Sequence, residues 1–113
     1  MTTCLFCRIV AGEIPADKVH ESERTLAFRD VSPQAPTHVL VVPKAHYADV
    51  GAVVDADPAL LADVMTAAVE VARAERLDGG FRLVVNTGAD GGQSVHHLHV
   101  HVLGGRALGW PPG

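Results

Sequence analysis

The sequence predicts an α+β fold, with an antiparallel sheet of about five strands, one long helix and a short N-terminal helix. Three observations carry this expectation. Residues 38–43, HVLVVP, are apolar almost throughout and stopped by Pro43, as in a central strand covered on both faces. From Asp57 onward, Leu61, Val64, Met65, Ala68, Val71 and Ala72 recur at helical spacing. Residues 95–103, VHHLHVHVL, alternate with the period of a strand.

Taken in order, residues 4–11, CLFCRIVA, read as a short helix or turn. KVHES (18–22) and TLAFRD (25–30) are strand-like and close enough to form a hairpin. The loop SPQAPTH, fixed by Pro33 and Pro36, leads into the central strand. Asp57 can cap the long helix and Pro58 suits its first turn. DGG (78–80) supplies glycines that stop the helix by taking left-handed backbone angles. FRLVVNT (81–87) is the next strand, GADGGQS a Gly-rich connection, 95–103 the last strand and 103–113 an irregular tail. A chain of 113 residues is one domain, 1–113.

The formal charge is −4, and the nine Lys and Arg residues are scattered. That excludes a nucleic-acid surface, which needs clustered cations, yet leaves room for a small phosphorylated ligand. No stretch approaches the roughly 18 apolar residues of a membrane helix, and no basic segment precedes an apolar run. A cytoplasmic protein with no membrane partner is expected. In that reducing compartment, Cys4 and Cys7 are free or metal-bound rather than disulfide-linked.

On a strand, His97, His99 and His101 share one face, each about 6.5–7 Å from the next, while Leu98, Val100 and Val102 face the core. Slipping the register by one residue would bury all three imidazoles. A polar face with accidental histidines is a poor account of three in register. Three collinear ligands also converge badly on one metal ion with bonds of about 2.1 Å. The remaining reading is a nucleophilic and electrostatic array acting on phosphate. A neutral imidazole can attack phosphorus through one nitrogen while the other N–H is held, and a neighbouring, protonated imidazole can offset the phosphoryl charge. The preceding loop, NTGADGGQS, offers Gly88, Gly91 and Gly92 for close backbone approach to an anion, with Gln93 and Ser94 beside the histidines.

HHLHVHVL contains His-Φ-His-Φ-His-Φ-Φ, where Φ is apolar, and so resembles the signature of the histidine-triad superfamily. FRDVSPQAPTHVLVVPKAH (28–46), GGQSVHHLHVHVLGGR (91–106) and the terminal WPPG resemble its nucleotide-binding (Hint) branch over nearly the whole chain. The resemblance implies that His99 is the nucleophile, attacking the α-phosphorus of a nucleotide ester, anhydride or phosphoramidate. A nucleotidyl-histidine intermediate follows, which water hydrolyses to the nucleoside monophosphate. It implies that His101 holds phosphate oxygens, that Ser94 and Gln93 lie near the leaving group, and that His38 supports the triad from the neighbouring strand. Asp30 matches the acceptor of the ribose hydroxyls. Phe6, Ile9, Phe28, Val31 and Leu40 resemble the apolar walls around a purine, with Asn86 and Gly92 near the phosphate. The resemblance further implies a homodimer in which the tail, with Trp110, reaches towards the partner's site. This chain departs from some relatives in having Gly109 where they carry a histidine before that tryptophan.

Cys4 and Cys7 form a C-x-x-C pair, without the βαβ context of a thioredoxin motif or the following H-x₃₋₅-H of a zinc finger. Related triad proteins bind zinc through such a pair plus two distant histidines, and the resemblance places these at His46 and His97. Such a site would be structural, with His97 serving zinc through its side chain and orienting His99 through its backbone carbonyl; the alternative is two small buried hydrophobes. No organic cofactor is expected. The leading expectation is thus a purine nucleoside phosphoramidase. Hydrolysis of dinucleoside polyphosphates, or nucleotidyl transfer on the same nucleophile, is the alternative within enzymes. A nucleotide-sensing interaction module with vestigial activity is the alternative outside them.

Overall fold

The computed structural model describes residues 3–113; the first two residues of the expected 1–113 domain lie outside the described residues. A helix α1 (Leu5–Val10) precedes strands β1 (Lys18–Glu21), β2 (Thr25–Arg29) and β3 (Thr37–Pro43). Helices α2 (Val50–Ala56) and α3 (Pro58–Ala74) follow, then strands β4 (Phe81–Val84) and β5 (Val100–Gly104). The strands form one antiparallel sheet in the order β1-β2-β3-β5-β4, as the α+β reading expected.

Strand β3 sits at the centre and every one of its residues is buried. Its side chains divide by parity. Val39 and Val41 join Ala27, Val100 and Val102 under α3, packed against Val64, Ala68 and Val71. Leu40 and Val42 point to the opposite face and meet Leu26, Phe28, Phe6 and Ile9. The sheet therefore has one face closed by the long helix and another closed partly by α1.

Asp57 caps α3 by accepting from the Leu60 N–H at 3.2 Å, and Arg24 from the β1–β2 turn reaches both Asp57 and Asp63 at 3.0 Å. The helix stops earlier than the glycines of DGG suggest. Arg76 takes the left-handed conformation at φ 57°, and the Leu77 N–H returns to the Ala72 carbonyl at 3.0 Å, so the chain has turned before Gly79. The sequence reading begins its helix at Asp57; the structure adds α2 before it, capped by Asp49 through the Ala52 N–H at 2.9 Å.

The last strand is shorter than the alternating pattern implies, beginning at Val100 rather than Val95. Two contacts draw residues 97 and 98 out of the ladder. The Leu98 N–H bonds the Tyr47 carbonyl at 2.7 Å, and the His97 ring takes the Pro43 carbonyl at 2.8 Å. Leu98 still faces the helices, buried with Val53 and Leu60, so the alternation of sides survives where the ladder does not. Strand β4 likewise ends at Val84, leaving Val85, Asn86 and Thr87 outside it.

Candidate functional site

The face of the sheet opposite α3 carries a cavity of about 630 Å³. Phe6 and Ile9 from α1, Phe28 from β2 and Leu40 from β3 form its apolar walls, with Leu5 and Ile14 beside them. Asp30 and the 98 % exposed Val31 stand at its rim, and Ser94, His99 and His101 close the polar end. The parity of the strands explains this convergence. Phe28, Leu40 and His101 all project from the face that α3 does not cover, and Leu40 and His101 are directly paired.

Main-chain groups set the protons on His99 and His38, and His38 in turn sets the proton on His101. His99 is buried, and its Nδ1–H donates to the His97 carbonyl at 2.8 Å, which leaves Nε2 as a lone-pair nitrogen. The Gln34 N–H donates to His38 Nδ1 at 3.0 Å, so the His38 proton lies on Nε2. That Nε2–H lies 2.9 Å from His101 Nδ1 and donates to it. The His101 proton must then be on Nε2, which is buried and has no hydrogen-bond partner among the described residues. A buried donor without an acceptor costs about 1–3 kcal/mol. Here it lies on the cavity wall, 5.0 Å (ring to ring) from His99.

These protons correct one expectation. A protonated imidazole beside the nucleophile is not what the fold builds, because burial first, then His99 and His38, push the His101 pKa down to about 4. Burial also holds His38 below the ordinary histidine range, although Asp30, with Oδ2 3.4 Å from His38 Nε2, opposes it. His101 lines the cavity as a neutral ring, its Nε2–H just beneath the surface.

Five of the expected residues stand elsewhere in the single chain. Gln93 is consumed by the loop: its oxygen accepts from the Gly88 N–H at 3.0 Å and its amide donates to the Ala48 carbonyl at 2.7 Å. The Gly92 N–H bonds the Ala89 carbonyl at 3.0 Å. Gly91 serves the same loop, since a Cβ there would lie 2.4 Å from the Thr87 carbonyl oxygen. Asn86 and Trp110 do not line the cavity either, and Trp110 is 83 % exposed. Sequence reasoning missed Ile14, Pro15 and Val95 on the cavity wall, although apolar residues beside a proline in a loop were a usable signal. It also missed the roles of the Gln34 amide and the Pro43 carbonyl, for which side-chain identity gives no sign.

Beside the cavity, Cys4, Cys7, His46 and His97 bring four donor atoms together. Cys4 Sγ lies 3.4 Å and Cys7 Sγ 3.5 Å from His97 Nδ1. Cys7 Sγ is 3.3 Å from His46 Nδ1, and the two Nδ1 atoms are 3.2 Å apart. Tetrahedral zinc, with bonds of about 2.3 Å to sulfur and 2.0–2.1 Å to nitrogen, separates sulfur from nitrogen by about 3.5 Å and two nitrogens by about 3.4 Å. The spacing fits. The tautomer fits too, since His97 Nε2–H donates to the Pro43 carbonyl and leaves Nδ1 aprotic towards the cluster. Burial lowers the His97 pKa against the opposing pull of that carbonyl, which also favours a neutral, ligating ring.

Residues 11–108 match the HIT domain. The chain belongs to the HIT-domain family. This HIT protein is 53% identical to a HIT family hydrolase of Legionella pneumophila, at a TM-score of 0.94 over 98% of this chain and 100% of that one. It is 50% identical over 109 residues to an uncharacterized HIT-like protein of Synechococcus elongatus, covering 96% of each chain. A histidine triad nucleotide-binding protein of Candida albicans shares 31% identity at a TM-score of 0.83, over 96% of this chain and 83% of that one. No helix among the described residues is long and apolar enough to cross a membrane.

Proposed function

We propose that this HIT protein, as a member of the Hint branch, hydrolyses purine nucleoside 5′-phosphoramidates, adenylylated amines among them, to the nucleoside monophosphate. One observation carries the reading. The lone-pair Nε2 of His99 and the Nε2–H of His101, without a partner among the described residues, belong to adjacent rings at the polar end of a cavity whose other walls are mostly apolar. A phosphoryl group there meets a nucleophile and a donor together, while the walls suit a purine and Asp30 can accept from a ribose. The names of the similar proteins, one a hydrolase and one nucleotide-binding, support the same reading.

In the first step His99 Nε2 bonds to the α-phosphorus and the bond from phosphorus to the leaving amine breaks. The amine departs with the electron pair and takes a proton from solvent at the side where Ser94 lies. His101 Nε2–H donates to a phosphate oxygen as charge builds on it. In the second step water attacks phosphorus, the bond to His99 breaks with its electron pair returning to Nε2, and the proton lost by the water passes to solvent, replacing the one the amine took. Gln93 and the glycines hold the loop that presents Ser94.

The Cys4, Cys7, His46 and His97 set would hold zinc, whose contribution is structural: it ties the N-terminal segment to the sheet. The protein acts in the cytoplasm as a homodimer, and the exposed Trp110 and Phe81, on the tail and the edge strand β4, are surfaces that pairing would cover. The experiment is intact mass spectrometry of protein quenched during turnover of an adenosine phosphoramidate. A mass increase of one adenylyl group, absent in His99→Ala, is expected. Turnover without any adduct and with comparable rate in His99→Ala would overturn the nucleophile assignment. Faster turnover of a diadenosine polyphosphate would reassign the substrate while leaving the nucleophile in place.

A further inference from the structure

Helix α1 belongs to two sites at once. Its cap Cys4 and its own Cys7 present sulfur to His97 and His46. Phe6, between them in sequence, is 4 % exposed and forms the cavity wall with Ile9, its ring edge-on to His99 at 5.0 Å and to Phe28 at 5.5 Å. The helix has six residues. Isolated helices shorter than about 12–15 residues are marginal in water, so α1 keeps its place only through what its side chains hold. One anchor is the apolar cluster with Leu26, Phe28, Leu40 and Val42; the other is the sulfur–imidazole cluster.

We infer that zinc and nucleoside bind with positive coupling, and that α1 transmits it. Zinc held by Cys4 and Cys7 fixes the wall that Phe6 and Ile9 offer to the base, and a nucleoside against that wall holds the two sulfurs in ligand position. The inference rests on the proposed zinc and nucleotide readings. A second route is visible on the page, because the His97 carbonyl tethers His99 at 2.8 Å and links the metal cluster to the phosphate end. The two routes separate by ligand. Adenosine would rest on α1 directly, whereas inorganic phosphate at His99 and His101 would meet it only through the His99 ring.

The test measures zinc affinity of the full chain by competition with a chromophoric chelator, alone, with saturating adenosine, and with saturating phosphate. Calorimetry of adenosine binding to zinc-loaded and chelator-stripped protein gives the reverse effect. Adenosine should tighten zinc by about 5- to 100-fold, and stripping zinc should weaken adenosine by the same factor, since coupling between sites is reciprocal. Phosphate should leave zinc affinity within about twofold, and Phe6→Ala should shrink the adenosine effect. Independent binding of zinc and adenosine overturns the inference, as does an equal effect of phosphate, which would assign the coupling to the His97 carbonyl. Loss of the whole circular-dichroism signal on stripping overturns the local route. Failure to bind zinc at all, or adenosine at all, removes the metal or the nucleotide reading respectively, and each is distinguishable from independent binding.

Discussion

Replacing His38 with leucine tests the proton wiring of the site more sharply than removing the nucleophile does. His38 is 6 % exposed and makes two hydrogen bonds, accepting from the Gln34 N–H at 3.0 Å and donating to His101 Nδ1 at 2.9 Å. Leucine fills most of the space and makes neither. The first loss removes the acceptor of a part-buried main-chain N–H on an exposed residue and should lower stability by about 0.5–1.5 kcal/mol. The second frees His101 to carry its proton on Nδ1, so the donor aimed at the substrate is no longer enforced. A hydrogen bond to a charged oxygen contributes about 1.5–3 kcal/mol, which corresponds to a fall in kcat of about 10- to 150-fold. KM should change little, because that bond strengthens as charge accumulates in the transition state. Steady-state kinetics on an adenosine phosphoramidate, with urea unfolding of the same sample, gives both numbers. His38→Gln, whose amide can accept from Gln34 and donate to His101, should recover part of the rate. A folded His38→Leu protein with kcat within about twofold of the parent would refute the wiring.

His99→Gly should lower monophosphate release by at least about a thousand-fold while calorimetry shows adenosine binding within about threefold of the parent. Leu98→Ala should cost about 2–5 kcal/mol in urea unfolding, because Leu98 is 1 % exposed between Val53 and Leu60. The same change should lower kcat, since it loosens the segment that carries His97 and His99. Acid should destabilise the fold in a defined window. The fold holds His101 at about 4 against an ordinary 6.5, so the unfolded chain binds the extra proton between those values and stability falls as pH drops through them. The slope is about 1.4 kcal/mol per pH unit for such a group, and His101→Gln should flatten the stability profile between pH 6.5 and 4.5; an unchanged slope would show that His101 is not held neutral.

Much of this was legible in the residues because burial leaves a periodic trace. The run HVLVVP could only be a strand covered twice, and β3 is buried along its length. The every-other histidines implied a shared side, and the alternation with Leu98, Val100 and Val102 persists even where residues 97–99 leave the ladder. The boundary at Val100 was not legible, because it depends on carbonyls of Tyr47 and Pro43 that become neighbours only in the folded chain. The same limit hid the tautomers of His38 and His97, which the Gln34 amide and the Pro43 carbonyl decide. Helix α2 escaped because its seven residues include Gly51 and bury only Val53, too little for a periodic signal. The loop glycines looked like an anion cradle, yet Gly91 and Gly92 are spent on the loop's own geometry.

The parity of the sheet has a bearing on how such a protein diversifies. Even-numbered positions of β2 and β3 border the cavity side, whereas Ala27, Val39 and Val41 are committed to α3. A drifting lineage can therefore exchange Phe28 or Leu40 for another apolar side chain, and so sample new ligands, without disturbing the contacts that keep the long helix docked. Selection for heat resistance and selection for a new ligand would accordingly leave their marks on alternate letters of the same two strands.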